Sequence, residues 1–432
     1  ILSLALVGTL FAIAWCGDRR GELKPPWRSW VYTLSLAVYC TSWAFYGTIN
    51  QAATHVWLFP PTYVGTLLLF ALGYQFMRRL HQLTRTHNIT SIADFLAARY
   101  GKSRYIAVLV TLIAAIAVLP YIALQLKAVA SSYRLLSGIE NSNTSLWWQD
   151  TGLFVAVLMA SFAMLFGTRS TSVTEHQPGL MLAVAFESLF KLIAFVSVSL
   201  IILWQWDYDL FSLLDPIIRS TSASDVTTSI IDQQMATNSH SVDRYLSLIV
   251  LGMCAMFCLP RQFYVGFVEC RGRQDLRLSR WAFPIYLLLM GIFTLPVAQV
   301  GLAEYGAEAS VDAETYLLRL PLDAGLICTS LLAYLGGFAA ATSMVILSSV
   351  ALSIMISNEL LLPWWLKWSH RAPVLILRRI TIIIILLMAW LYYRYVGESE
   401  ALAAMGGIAF AGAAQFAPAI ILGVYWSSLR AP

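Results

Sequence analysis

Charge is scarce in this chain. Only 12% of its 432 residues are Asp, Glu, Lys or Arg, about half the share found in soluble globular proteins. A water-facing surface around a core this apolar cannot be built from so few charges. The net charge of +5 does not point to nucleic acid, because the basic residues sit in short loops between apolar runs. Redox and metal patterns are also missing. The six cysteines, Cys16, Cys40, Cys254, Cys258, Cys270 and Cys328, form no C-x-x-C pair and lie in or beside apolar segments. They read as small buried hydrophobes. There is no H-E-x-x-H, and no His-Asp-Ser set falls within an apolar run. A membrane enzyme is therefore not expected, nor any cofactor beyond a coupling ion. Filter-like repeats of a channel are absent too. The first run, residues 1–16, lacks a basic leader and a small-residue cleavage site, so it reads as a first span rather than a signal peptide.

What remains is apolar. Hydrophobic residues make up 59% of the chain, and mean hydropathy is +0.70. Many runs approach the roughly 20 residues that cross a bilayer. Backbone polar groups in lipid must satisfy one another, which leaves helices or a closed barrel. The runs are too continuous for the ten-residue alternation of a barrel. The expected fold class is an all-α polytopic membrane protein with about eleven transmembrane helices. They lie near 1–16, 30–48, 57–77, 105–132, 148–166, 180–204, 245–268, 281–300, 324–357, 380–393 and 401–426.

Loops alternate in charge. One set is rich in Arg and Lys, from Arg19 and Arg28 through Arg78, Arg79 and Arg85 to Arg271, Arg273, Lys367 and Arg371. The other set is almost free of basic residues and holds Glu304, Glu308, Asp312 and Glu314. The positive-inside rule places the first set in the cytoplasm, the N-terminus outside and the C-terminus inside. Within one basic loop, in the stretch 91–100, Thr90 or Ser91 is placed to cap a short helix whose apolar face would rest on the membrane surface.

Polar and ionisable groups inside spans mark a pathway or a site. The fourth segment reads L-P-Y-I-A-L-Q-L-K, with Tyr121, Gln125 and Lys127. The sixth reads A-F-E-S-L-F-K-L, with Glu187 and Lys191 at i, i+4. The seventh carries L-P-R-Q-F, with Pro260, Arg261 and Gln262. The last holds G-A-A-Q-F-A-P-A, with Gln415 and Pro418. Glu187 and Lys191 read either as a structural pair on one helix face or as proton carriers. Arg261 reads either as snorkelling to the interface or as flanking a cavity. A proline followed by two donors favours the cavity: Pro260 removes a backbone donor, and broken helices in transporters expose carbonyls where ions and solutes are held. In the ninth segment the small-residue run Gly336 to Met344 brings Thr342 and Ser343, hydroxyls suited to a hard cation.

Four motifs together carry a family resemblance: T-S-W-A-F-Y-G at 41–47, S-I-A-D-F-L-A-A-R-Y-G at 91–101, F-A-A-A-T-S at 338–343 and F-A-G-A-A-Q-F-A-P-A at 410–419. The chain resembles the sodium/solute symporters over almost its whole length. It is most similar to the transporter-like membrane domain of CbrA-type bacterial sensor histidine kinases, through L-P-Y-I-A-L-Q-L-K-A-V, A-F-E-S-L-F-K-L and L-P-R-Q-F.

The resemblance implies a LeuT-like five-plus-five inverted repeat with one extra N-terminal helix in a single domain, 1–432. The extra helix would be 1–17, the first repeat 28–205 and the second 243–428. The broken helices would be the second and seventh segments. The family's cation site falls on the carbonyls of Ala37 and Cys40 and on hydroxyls of the ninth segment. There Ser343 takes the first position, Met344 stands where a second hydroxyl is usual, and Thr342 comes one place early. Glu187 falls near the family's acid, so either Na+ or H+ is expected as coupling ion.

The expected solute lining is Tyr39, Ser42, Trp43, Tyr121, Gln125, Arg261, Gln262 and Gln415. The implied activity is import of a small polar solute by alternating access, with an amino acid and first of all histidine as substrate. The implied setting is the bacterial inner membrane, with cytoplasmic kinase domains of the same polypeptide as partners. The rival expectation is a receptor domain that senses histidine for the kinase without transporting it.

Overall fold

The computed structural model describes residues 2–20, 24–55, 57–138, 150–167, 177–208, 241–306, 311–367, 373–397 and 400–426. Among these residues every regular element is helical. Seven helices are long and apolar enough to cross a membrane, or eight if one bent pair counts as a single span. Of the eleven expected segments, two contain shorter apolar helices, Pro61–Leu72 and Thr151–Leu165, and that at 30–48 is interrupted.

Helix α1 is Leu2–Arg20. It lies at the periphery against α9, Pro178–Gln205. Only 17% of its most apolar stretch is buried inside the protein, against 94% for the span Ile327–Trp365. That span is the centre of the molecule. Its main helix, α15 (Ile327–Met355), packs between α9 and the long α7, Arg104–Ser137.

The first interruption separates α2, Trp27–Leu36, from α3, Thr48–His55. A 3-10 turn, Ala37–Tyr39, leads to Cys40, whose ψ of 94° is extended rather than helical. A π turn, Trp43–Gly47, resumes the course. After α4, Pro61–Leu72, α5, Tyr74–Thr86, and α6, Ile92–Arg99, the chain enters α7 and then α8, Thr151–Gly167. The second interruption follows α10, Ser241–Cys258. Leu259 is extended, with ψ 129°, and Pro260 opens α11, Pro260–Phe263. The physical cause is local: a proline's ring clashes with helical backbone at the preceding residue and pushes it to extended geometry. The two halves meet at 54°, and a π turn, Tyr264–Val268, follows.

Beyond this lie α12, Arg273–Gly291, α13, Thr294–Tyr305, and a 3-10 turn at Ala313–Thr315. They are followed by α14, Tyr316–Asp323, and then α15. A π turn, Ile356–Leu361, and α16, Leu362–Trp365, end that span. The last elements are α17, Val374–Tyr392, with a π turn at Tyr393–Gly397, α18, Leu402–Ala414, and α19, Ala417–Tyr425.

Small residues let α4 cross close over α10. A Cβ on Gly252 would fall 2.3 Å from the Thr62 carbonyl oxygen. Thr66 Oγ1 lies 3.2 Å from the Gly252 carbonyl, the kind of close approach that small residues permit in membranes.

The short helix over 92–99 forms as expected. Ser91 Oγ accepts from Asp94 N at 3.1 Å, and Asp94 in turn accepts from Thr90 N at 2.9 Å. Its apolar face does not rest on the membrane, however. Ile92, Phe95 and Leu96 are buried within the protein, and Arg99 Nε donates to the Gly423 carbonyl at 2.6 Å.

Candidate functional site

Both breaks open onto one buried polar cluster. At the first break the extended Cys40 turns its carbonyl away from helical pairing. The ammonium of Lys191, on α9, lies 2.7 Å from the Ala37 oxygen and 2.7 Å from the Cys40 oxygen. These are the two carbonyls the family resemblance assigns to a cation, and here the chain's own cation takes them. One turn earlier on α9, Glu187 Oε1 accepts from Thr342 Oγ1 at 2.6 Å. Glu187 and Lys191 are both fully buried and feel each other's charge, but each reaches its own partners on a different element. Ser343, expected to hold the cation first, turns back on its own helix and donates to the Ala339 carbonyl at 3.1 Å. Thr342 is the hydroxyl that faces α9.

Residues after the first break are tied down by α7. Gln125 Oε1 accepts from Ser42 N at 3.1 Å and from Ser42 Oγ at 2.7 Å. Gln125 Nε2 donates to the Tyr121 carbonyl at 3.3 Å. Ser42 and Gln125 therefore satisfy each other and hold the break. Thr41, absent from the expected lining, contributes as well: its hydroxyl is 3.3 Å from Tyr121 Oη and accepts from Trp43 N. Tyr39 donates to the Thr62 carbonyl at 3.1 Å.

Three rings form a box. Trp43 stands 6.3 Å from Tyr121 and 4.9 Å from Phe410, and Tyr121 and Phe410 are 5.6 Å apart, all edge-to-face. Phe410 lies in a quoted motif but was not among the expected lining residues; its side chain gave no signal beyond being apolar. The indole is clasped by two glycines. A Cβ on Gly47 would lie 2.5 Å from its Cδ1, and a Cβ on Gly406 2.5 Å from its Cε3.

Arg261, from the second break, is fully buried and does not snorkel. Its guanidinium carbon stands 4.5 Å from the Tyr121 ring centroid, a cation–π contact worth about 2 kcal/mol when desolvated. Among the described residues none of its three nitrogens has a hydrogen-bond partner. Gln262 donates to the Leu36 carbonyl at 3.5 Å, while its Oε1 has no partner among the described residues, nor has Trp43 Nε1. Gln415 stands apart: it is exposed and donates to Ala411 on its own helix at 3.2 Å.

The structure thus brings Tyr39, Ser42, Trp43, Tyr121, Gln125, Arg261 and Gln262 into the same region as Ala37, Cys40, Glu187, Lys191 and Thr342. It leaves Gln415 outside, and it points Ser343 along its own helix.

This arrangement belongs to a multi-pass helical membrane protein with the fold of a membrane transporter. No family model matches the sequence, and no curated protein does. The fold matches a solved Na+-coupled sialic acid symporter, in a substrate-bound, outward-open state, with a TM-score of 0.68 over 99% of this chain and 87% of that one. Sequence identity is 15%, so the likeness is one of fold.

Proposed function

We propose that the chain is a cation-coupled secondary transporter that imports a small polar solute by alternating access, an amino acid and first of all histidine. The carrying observation is that both helix breaks, at Cys40 and at Leu259–Pro260, face a single buried cluster of polar groups. A bilayer tolerates interrupted backbone only where it is buried in protein or lines a cavity. Paired breaks of this kind support the five-plus-five inverted repeat over 28–205 and 243–428, with eleven spans and the extra helix first.

The coupling ion in this reading is H+. An ammonium between the Ala37 and Cys40 carbonyls does the work of a bound cation, and Glu187 beside it is the group to exchange a proton. Na+ remains the second reading. It is favoured by the Na+-coupled symporter whose fold the chain shares and by the Thr342 hydroxyl beside Glu187. The orientation proposed is N-terminus outside and C-terminus cytoplasmic in a bacterial inner membrane, with cytoplasmic kinase domains as partners.

Accumulation of labelled histidine by reconstituted vesicles tests the reading. Uptake against a gradient supports transport. Saturable binding without accumulation would instead establish the receptor alternative.

A further inference from the structure

We infer that Arg261 is the seat of a carboxylate on the solute, so that the site selects organic acids and zwitterions over neutral or purely cationic molecules. The inference rests on the transport reading for its setting, but its chemistry stands on geometry alone.

A guanidinium offers five N–H donors in a fixed fork, and it stays charged in proteins. Burying such a group without a partner is among the costliest arrangements a fold can hold. Arg261 is 1% exposed, and all three of its nitrogens lack an acceptor among the described residues. The Tyr121 ring covers one face of the guanidinium. A ring face offsets part of the charge but accepts none of the in-plane N–H bonds. The fork is therefore left for a planar acceptor with two oxygens, the bidentate match of a carboxylate.

The charges around it agree. Lys191 has two carbonyls and the neighbouring charge of Glu187. Arg261 adds a second cation to the same surroundings, close enough to oppose the charge on Lys191. Among the described residues of this cluster two cations stand against one carboxylate, Glu187, so the surplus positive charge lies where a solute carboxylate would meet Arg261.

The remaining orphans fit an amino acid's other end. Among the described residues Gln262 Oε1 is a buried acceptor without a donor, and Trp43 Nε1 a buried donor without an acceptor. A solute carrying a carboxylate beside an N–H-bearing group would satisfy Arg261 and Gln262, which are adjacent in sequence.

The test is a thermal-shift titration of the purified full chain with each L-amino acid, its methyl ester and its decarboxylated amine. The best ligand then goes into vesicle uptake with Arg261→Gln and Arg261→Lys. The expected result is stabilisation by at least one free acid, with ester and amine weaker on the order of a hundredfold, the effect of removing one partner of a buried charged pair. Arg261→Gln should erase that discrimination, and Arg261→Lys should keep a preference for the acid at lower affinity.

Equal binding of acid and ester by the unmodified protein overturns the inference, as does no stabilisation by any acid or by chloride alone being bound. Should Arg261→Gln not fold, the acid–ester comparison in the unmodified protein decides the matter. Acid-selective binding without uptake supports the seat while refuting transport. Uptake that accepts esters equally refutes the seat while leaving transport intact.

Discussion

Lys191 and Cys40 are joined by a 2.7 Å hydrogen bond from ammonium to main-chain carbonyl, 151 residues apart in sequence. With the equal bond to Ala37, this contact seats a cation carried by the chain itself on the two carbonyls at the first break.

Removing the tethered charge should open the seat. Lys191→Met removes the ammonium from both carbonyls, leaving that of Ala37 with only the Cys40 N–H, and takes away a charge that Glu187 feels. The expected destabilisation is about 3–5 kcal/mol, the range for breaking a buried charged pair. Lys191→Ala, which leaves more room, should gain a thermal stabilisation by Na+ over choline that the unmodified protein lacks. Thermal unfolding in matched chloride salts is the measurement.

The hydroxyl that matters should be Thr342, because it is the one that bonds Glu187. Thr342→Val removes that donor and should lower uptake several-fold. Ser343→Ala loses only a bond to its own helix and should change uptake little. Glu187→Gln keeps an acceptor for Thr342 but removes the exchangeable charge, so its uptake should no longer respond to an imposed pH difference. Initial rates in vesicles read all three.

The Trp43 box should be sensitive to side chains added behind it. Gly406→Leu places a Cβ 2.5 Å from the indole, and the ring must swing out of the box. We expect solute affinity to fall at least tenfold, read by ligand-induced thermal shift. Gly407→Ala, one residue along and facing open space, should behave as the unmodified protein.

A pH effect should come from outside the spans. In the segment linking α13 to α14, burial and the neighbouring Asp312 push the Glu314 carboxyl up to about 7, while the Leu402 N–H, Lys127 and Asn50 oppose the rise. Its Oε1 accepts from Leu402 N at 2.6 Å and ties that segment to the start of α18. A carboxyl raised on folding contributes stability that is full below its ordinary value near 4.5 and is lost as pH climbs through about 7. The melting temperature should therefore fall by a few degrees between pH 5 and 8, and Glu314→Gln should flatten that fall.

Some of these features are legible in the sequence and others are hidden from it for physical reasons. The second break was legible because Pro260 imposes it on Leu259 through local sterics. The first has no proline: Cys40, Thr41 and Ser42 only weaken the helix through short polar side chains, so the resemblance alone located it. Glu187 and Lys191 stood out because charges in an apolar run are rare. Their different partners could not be seen, since Ala37, Cys40 and Thr342 come from distant parts of the chain.

Phe410 and the glycines around Trp43 look like ordinary packing until a ring is placed between them. Gln415 matched a motif, but its side chain faces outward, a matter of helix rotation. The helix over 92–99 was capped as its sequence indicates. The burial of its apolar face is hidden from the local sequence because α19, which receives Arg99, lies more than 300 residues further on.

The most direct measurement is initial histidine uptake into vesicles under two separately imposed gradients, inward H+ without Na+ and inward Na+ without H+. With Lys191 seated on the Ala37 and Cys40 carbonyls, uptake should follow the H+ gradient and ignore Na+. Uptake driven by Na+ alone, at symmetrical pH, would contradict a seat filled by the chain's own ammonium.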